Sequence, residues 1–131
     1  MQKRLIKGFI YVFVFFAAAA VSLPAAFAQE TSSPSSDLVN KAWEAHGKRD
    51  LEATNTITQQ IIDTYKEEAA RIQSSLKQLP SSKPEIEAAT VLNDVAVAYF
   101  IRAEMQMRQN NPDEAKKIFK TIIDSYPFAQ A

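Results

Sequence analysis

Ile61-Ile62-Asp63-Thr64-Tyr65 and Ile122-Ile123-Asp124-Ser125-Tyr126 are nearly the same five residues, 61 positions apart. Upstream of each stand a capped helix start, an alanine near the head of the helix (Ala53, Ala115), and a preceding helix with a small residue (Ala42, Ala103). Self-similar helix pairs are the mark of a stacked array. The small residues have a physical purpose, because only a small side chain lets paired helices approach closely. The duplicated segment therefore predicts helical hairpins packed side by side.

The rest of the chain agrees. Glycine occurs only at Gly8 and Gly47, and there are no Val/Ile/Thr runs joined by tight Asn-Gly turns. Ala, Gln, Glu, Lys and Ile dominate instead, which predicts an all-α fold of about four helices. The first is expected over about Asp37 to His46, capped by Ser36. Its apolar side is Leu38, Val39, Ala42, Trp43 and Ala45, and Gly47 is expected to end it in the left-handed conformation.

The second helix is expected to start after the cap Asp50. Leu51, Ile57, Ile61, Ile62, Tyr65, Ala69, Ile72, Leu76 and Leu79 recur at threes and fours, one stripe over roughly 29 residues, or ~43 Å at ~1.5 Å per residue. The third opens at Ser82-Lys83-Pro84-Glu85, a capping box, and runs to about Gln109. Its middle, Val95 to Ile101, is apolar nearly all round and so requires contacts on more than one face. Asn111-Pro112-Asp113-Glu114 starts the fourth, with Asn111 as cap. Ala115, Ile118, Phe119, Ile122 and Ile123 form its expected buried stripe, and Tyr126-Pro127 ends it.

The first 28 residues read as an address. Lys3, Arg4 and Lys7 make a positive start, Phe9 to Val21 is uncharged and apolar, and Ala26-Phe27-Ala28 offers a signal-peptidase site after Pro24. This is the secretory pattern, and it predicts a periplasmic or secreted protein that begins at about Gln29. Left uncleaved, the same segment is long enough to tether the chain in a bilayer. Residues 29–36 are expected to form a polar flexible leader and 37–131 the helical domain. Without the signal, twelve basic residues face fifteen acidic ones, a net charge of −3. That balance carries no footprint for nucleic acid. The absence of cysteine excludes disulfides, a thiolate nucleophile and a lipoprotein anchor.

The second unit resembles the tetratricopeptide repeat (TPR) family over about 34 residues, and the first resembles it loosely over about 30 more. Tyr99 and Ala103 stand where that family places a large aromatic and a Gly or Ala, and Ala115, Phe119 and Pro127 fall at its Ala, Phe and Pro positions. The run from Asn110 through Phe119 to Pro127 looks most like the repeats of extracytoplasmic bacterial TPR proteins, among them the Tol–Pal coordinators and the outer-membrane assembly lipoproteins. The first unit departs from the pattern, with a shorter turn, no closing Pro and an overlong second helix. The resemblance implies an α-α solenoid whose first helices line a concave groove. Transferred to this chain, the groove residues are Val39, Trp43 and His46 in the first unit, and Val97, Phe100, Glu104, Met107 and Arg108 in the second. The family's basic clamp for peptide carboxylates needs Lys and Asn at these places. Val, Trp, Phe and Glu imply instead an apolar helix or extended peptide anchored on Trp43 and Phe100.

Catalytic chemistry finds no constellation. His46 is the only histidine and lacks metal-ligand spacing, so it is expected to sit against helix-end carbonyls. Glu67-Glu68 and Glu85/Glu87 read as a solvated face beside Lys66 and Lys83. Asp94, in the apolar third helix, is expected either to face solvent or to bond to a neighbouring helix. No cofactor and no metal are expected. The leading expectation is a non-enzymatic interaction module of the bacterial envelope. The alternatives are an accessory or truncated non-catalytic part of an envelope enzyme, and a membrane-tethered self-associating hairpin. The C-terminal end is expected either to continue in a longer protein or to pack on a second copy or on the extended second helix.

Overall fold

The computed structural model describes residues 32–130. The signal sequence expected at 1–28 lies outside the described residues. The elements in order are α1 (Pro34–Gly47), α2 (Leu51–Ser75), α3 (Lys83–Ala88), α4 (Thr90–Arg108) and α5 (Pro112–Ser125). All are helices, and the described residues contain no strand. Helix α4 is the centre of the packing: α2, α5 and α1 all lie against it. Its apolar residues on every side explain this position. Leu92, Val95, Ala96, Ala98 and Ile101 join Ala42 of α1 and Ile61, Ile62 and Ala69 of α2 in one core. The small side chains Ala42, Ala98 and Ala103 are fully buried, where they let helix axes come close.

The repeat seen in the sequence is also a repeat of turn geometry. After α1, Asp50 N–H donates to Ala45 O (3.0 Å) and Arg49 N–H to His46 O (3.1 Å). After α4, Asn111 N–H donates to Gln106 O (2.8 Å) and Asn110 N–H to Met107 O (3.1 Å). Both are Schellman closures, each built on a left-handed residue, Arg49 (φ 61°) and Asn110 (φ 60°), 61 positions apart. The register this sets pairs Thr54, not Ala53, with Ala115.

Several local expectations are corrected. Gly47 is the last residue of α1 and has no positive φ; the left-handed role falls to Arg49, two residues on. Helix α1 starts at Pro34 under a Ser33 cap, whose Oγ accepts from Ser36 N–H (3.2 Å), so residues 34–36 belong to the helix rather than to a leader. Their hydroxyls find a buried partner in Asp94, described below.

Helix α2 stops at Ser75, four residues short of the expected Leu79. Ser74 and Ser75 turn their hydroxyls onto Ala70 O (2.8 Å) and Ile72 O (2.7 Å), competing with the ladder, and Leu76 is extended. Leu51 and Leu79, the ends of the expected stripe, are exposed.

The expected third helix is two, broken at Ala89 (φ −94°, ψ 8°), which makes five helices rather than four among the described residues. Thr90 Oγ1 bonds back to Glu87 O (2.7 Å) at the break. Helix α3 buries no residue and has only Ile86 to offer a core, so packing does not hold it in line with α4. Its start is still closed by Glu85, whose carboxylate accepts from the N–H groups of Ser81 and Ser82 (3.0 Å each). Those donors hold the Glu85 carboxyl below the usual carboxylate range.

Helix α5 begins as expected at Pro112, but Asn111 does not cap it; its amide donates to Gln106 Oε1 instead (3.2 Å). The chain then folds back. Tyr126 is buried with its ring 5.9 Å from that of Tyr99. Phe128 N–H donates to Gln73 Oε1 (3.1 Å) and Gln130 N–H to Asn93 Oδ1 (2.8 Å), tying the tail to α2 and α4.

Candidate functional site

Helices α1 and α4 are the first helices of the two units, and they touch. This contact brings most of the eight expected groove residues together, but not all to the surface. Trp43 is 39% exposed. Its ring lies 6.3 Å from Phe100 on α4, and Phe100 lies 5.8 Å from Phe119 on α5, edge to face. Three rings from three helices thus form a chain of aromatic contacts, in geometries favoured by ring quadrupoles. Phe119 was expected only as a buried member of the α5 stripe. Its half-buried place in this chain was not legible, because it depends on how α5 crosses α4.

His46 is buried and stands 5.7 Å from Trp43 in a T-shaped arrangement. The expectation that it serves helix-end carbonyls is corrected: its Nε2 lies 3.1 Å from Glu104 Oε2, half-buried on α4. The carbonyl of His46 is the one that a side chain reaches, through Arg108 Nη1 at 3.2 Å. One helix turn along, Met107 is exposed. Val97 is half-buried against the core. Val39 is a correction: it faces the core with Ala42 rather than a groove, since it lies one turn before Trp43 on the side that α2 and α4 cover.

At the end of this face, a cleft of about 600 Å³ opens between the α1–α2 turn and the end of α4. His46, Gly47, Arg49, Leu51, Thr54, Arg108 and Gln109 line it. Among the described residues, neither Arg49 nor Arg108 pairs with a carboxylate. Arg49 is brought there by the left-handed turn, which the sequence signalled only through its match to Asn110.

A second polar cluster sits at the other end of α1. Asp94, 8% exposed, accepts from Ser35 Oγ (2.6 Å) and Ser36 Oγ (2.8 Å). Ser33 Oγ lies 2.9 Å from both serine hydroxyls. Of the two sequence readings of Asp94, the contact to a neighbouring helix is the one found. The cluster ties the start of α1 to α4. Thr54 and Thr58 are buried without being part of the expected stripe. Each satisfies its hydroxyl on a carbonyl one turn back, Asp50 O (2.6 Å) and Thr54 O (2.8 Å). Among the described residues no three His, Asp or Glu side chains gather as metal ligands would, and no helix is long and apolar enough to cross a membrane. No family model, curated protein or solved structure matches the chain.

Proposed function

We propose that the chain is a non-enzymatic, extracytoplasmic protein-interaction module of TPR-like type. The observation that carries this reading is the aromatic chain Trp43–Phe100–Phe119, with the sole tryptophan left 39% exposed on the face shared by α1 and α4. Partly exposed aromatics held in place by a rigid scaffold are the anchors that binding surfaces use. Paired helices with duplicated turns support the TPR-like part of the reading. The extracytoplasmic part rests on the signal-like residues 1–28. The ligand is an apolar helix or extended segment. An acidic group near one end of it would meet the guanidinium groups of Arg49 and Arg108 at the cleft.

A displayed peptide library selected on the protein tests this. Enriched peptides are expected to shift Trp43 emission, which reports without a label because there is no other tryptophan. Trp43→Ala and Phe100→Ala are each expected to weaken them tenfold or more. Peptides that bind both variants as well as the parent would rule out this face.

A further inference from the structure

The two turns of the repeat close alike but do not carry the same residues. Asn110 makes the left-handed turn after α4, and asparagine is among the residues that tolerate that conformation. Arg49 makes the same turn after α1 at φ 61°. Arginine gains nothing from a conformation that crowds its Cβ against a carbonyl, and a strained residue that the turn does not require points to a use for its side chain.

That side chain lines the cleft of about 600 Å³, a size typical of sites for small molecules. Arg108 lines it too, from the last turn of α4. Its Nη1 donates to His46 O (3.2 Å), the carbonyl that also accepts Arg49 N–H (3.1 Å). One acceptor thus holds the two residues side by side and takes only one of the five N–H donors of Arg108. Both arginines are exposed, so a ligand reaches them from solvent. Gly47 adds no side chain, and a Cβ there would meet nothing within 4 Å, so the cleft stays open at that point.

Among the described residues no carboxylate lines the cleft. The nearest in sequence are engaged elsewhere: Asp50 accepts from Ala53 N–H (3.0 Å), Glu104 meets His46, and Glu44 pairs with Lys48. Outside the described residues Glu30 is the only Asp or Glu. It stands two residues before Ser32, about 7 Å of chain, whereas His46 is about 20 Å along α1 from Ser33. Gln130 is held at the other end of α4, on Asn93.

Two guanidinium groups match a dianion in charge, and each offers paired donors to phosphate oxygens. We propose that this cleft binds a small phosphomonoester, with Arg49 and Arg108 on the phosphate and Leu51 and the Gln109 amide beside the remainder. An acidic group of a peptide on the aromatic face would compete for the same two guanidinium groups, but the site needs the arginines and not Trp43.

The probes are inorganic phosphate, phenyl phosphate and acetate, titrated into the full chain at pH 7.5 and fixed ionic strength. Binding is read from the NMR shifts of the Gly47 and Arg49 amides. Phenyl phosphate, whose ring can lie on Leu51, is expected to bind severalfold tighter than phosphate, and acetate severalfold weaker. Arg49→Asn, which keeps the turn as Asn110 does, and Arg108→Gln are each expected to weaken phosphate at least fivefold. Lys48→Gln, which removes a charge outside the cleft, is expected to change it less than twofold. Trp43→Ala is expected to leave it unchanged, so failure of the aromatic face and failure of this site are read separately. Shifts that do not saturate, a loss with Lys48→Gln as large as with Arg49→Asn, or acetate as tight as phosphate overturns the proposal. So does capture by phosphatidate vesicles that Arg49→Asn abolishes, since the ligand would then be a lipid surface.

Discussion

Replacing Asp94 by alanine is expected to cost about 2–4 kcal/mol of stability. The carboxylate accepts two short bonds from α1, from Ser35 at 2.6 Å and Ser36 at 2.8 Å. Hydrogen bonds to a charged group contribute about 1.5–3 kcal/mol each. The contact from Ser33 at 3.5 Å is too long to count. Two effects offset part of the loss. Removing the carboxylate relieves its desolvation, and both serine hydroxyls keep Ser33 at 2.9 Å. The assay is urea unfolding followed by helix circular dichroism and, separately, by emission of Trp43, which lies on the helix that Asp94 anchors. If α1 detaches first, the Trp43 transition moves to lower urea than the helix transition. A cycle of Ser35→Ala, Asp94→Ala and the double variant is expected to show a coupling of about 1 kcal/mol or more. A shift under about 0.5 kcal/mol, or strict additivity in the cycle, would refute the view that this contact fixes α1.

Other outcomes follow from the same structure. Ile62→Ala is expected to cost about 2–4 kcal/mol and its repeat equivalent Ile123→Ala under about 0.5, measured by denaturant midpoints; equal losses would mean that α5 is covered. Gly47→Ala is expected to stabilise the fold by about 0.4–1 kcal/mol in thermal or denaturant unfolding. A methyl there meets nothing within 4 Å, and the backbone is helical; destabilisation would restore the left-handed reading. The Glu85 carboxyl is expected to titrate below the ordinary glutamate range by carboxyl-carbon NMR. Since its folded value is the lower one, its support for α3 is full above the unfolded value and is lost as pH falls through the folded value. Glu85→Gln should make α3 amide protection insensitive to that change; an ordinary glutamate titration would contradict the capping contact.

How far the chain could be read without coordinates depended on whether a property is local. Helix class, the starts at Leu51 and Pro112, and the central place of α4 follow from residue periodicity, caps and an all-round apolar segment. The C-terminal end of α2 and the break at Ala89 were not legible, because serine and threonine back-bonding decides between two nearly equal continuations. Thr54 and Thr58 were passed over as polar although they sit at core spacing, and each buries a hydroxyl that its own helix satisfies.

By itself the sequence determined that this is a helical chain with a duplicated segment, and only the family resemblance put Trp43, His46, Phe100 and Glu104 on one expected groove. Only the tertiary structure decided which of them face water, that His46 meets Glu104, that Val39 turns inward, and that Ile62 is covered while Ile123 is bare. The physical reason is that periodicity identifies the apolar side of a helix from its own residues. Burial belongs to whatever lies on that side, and that is set by elements distant in the chain.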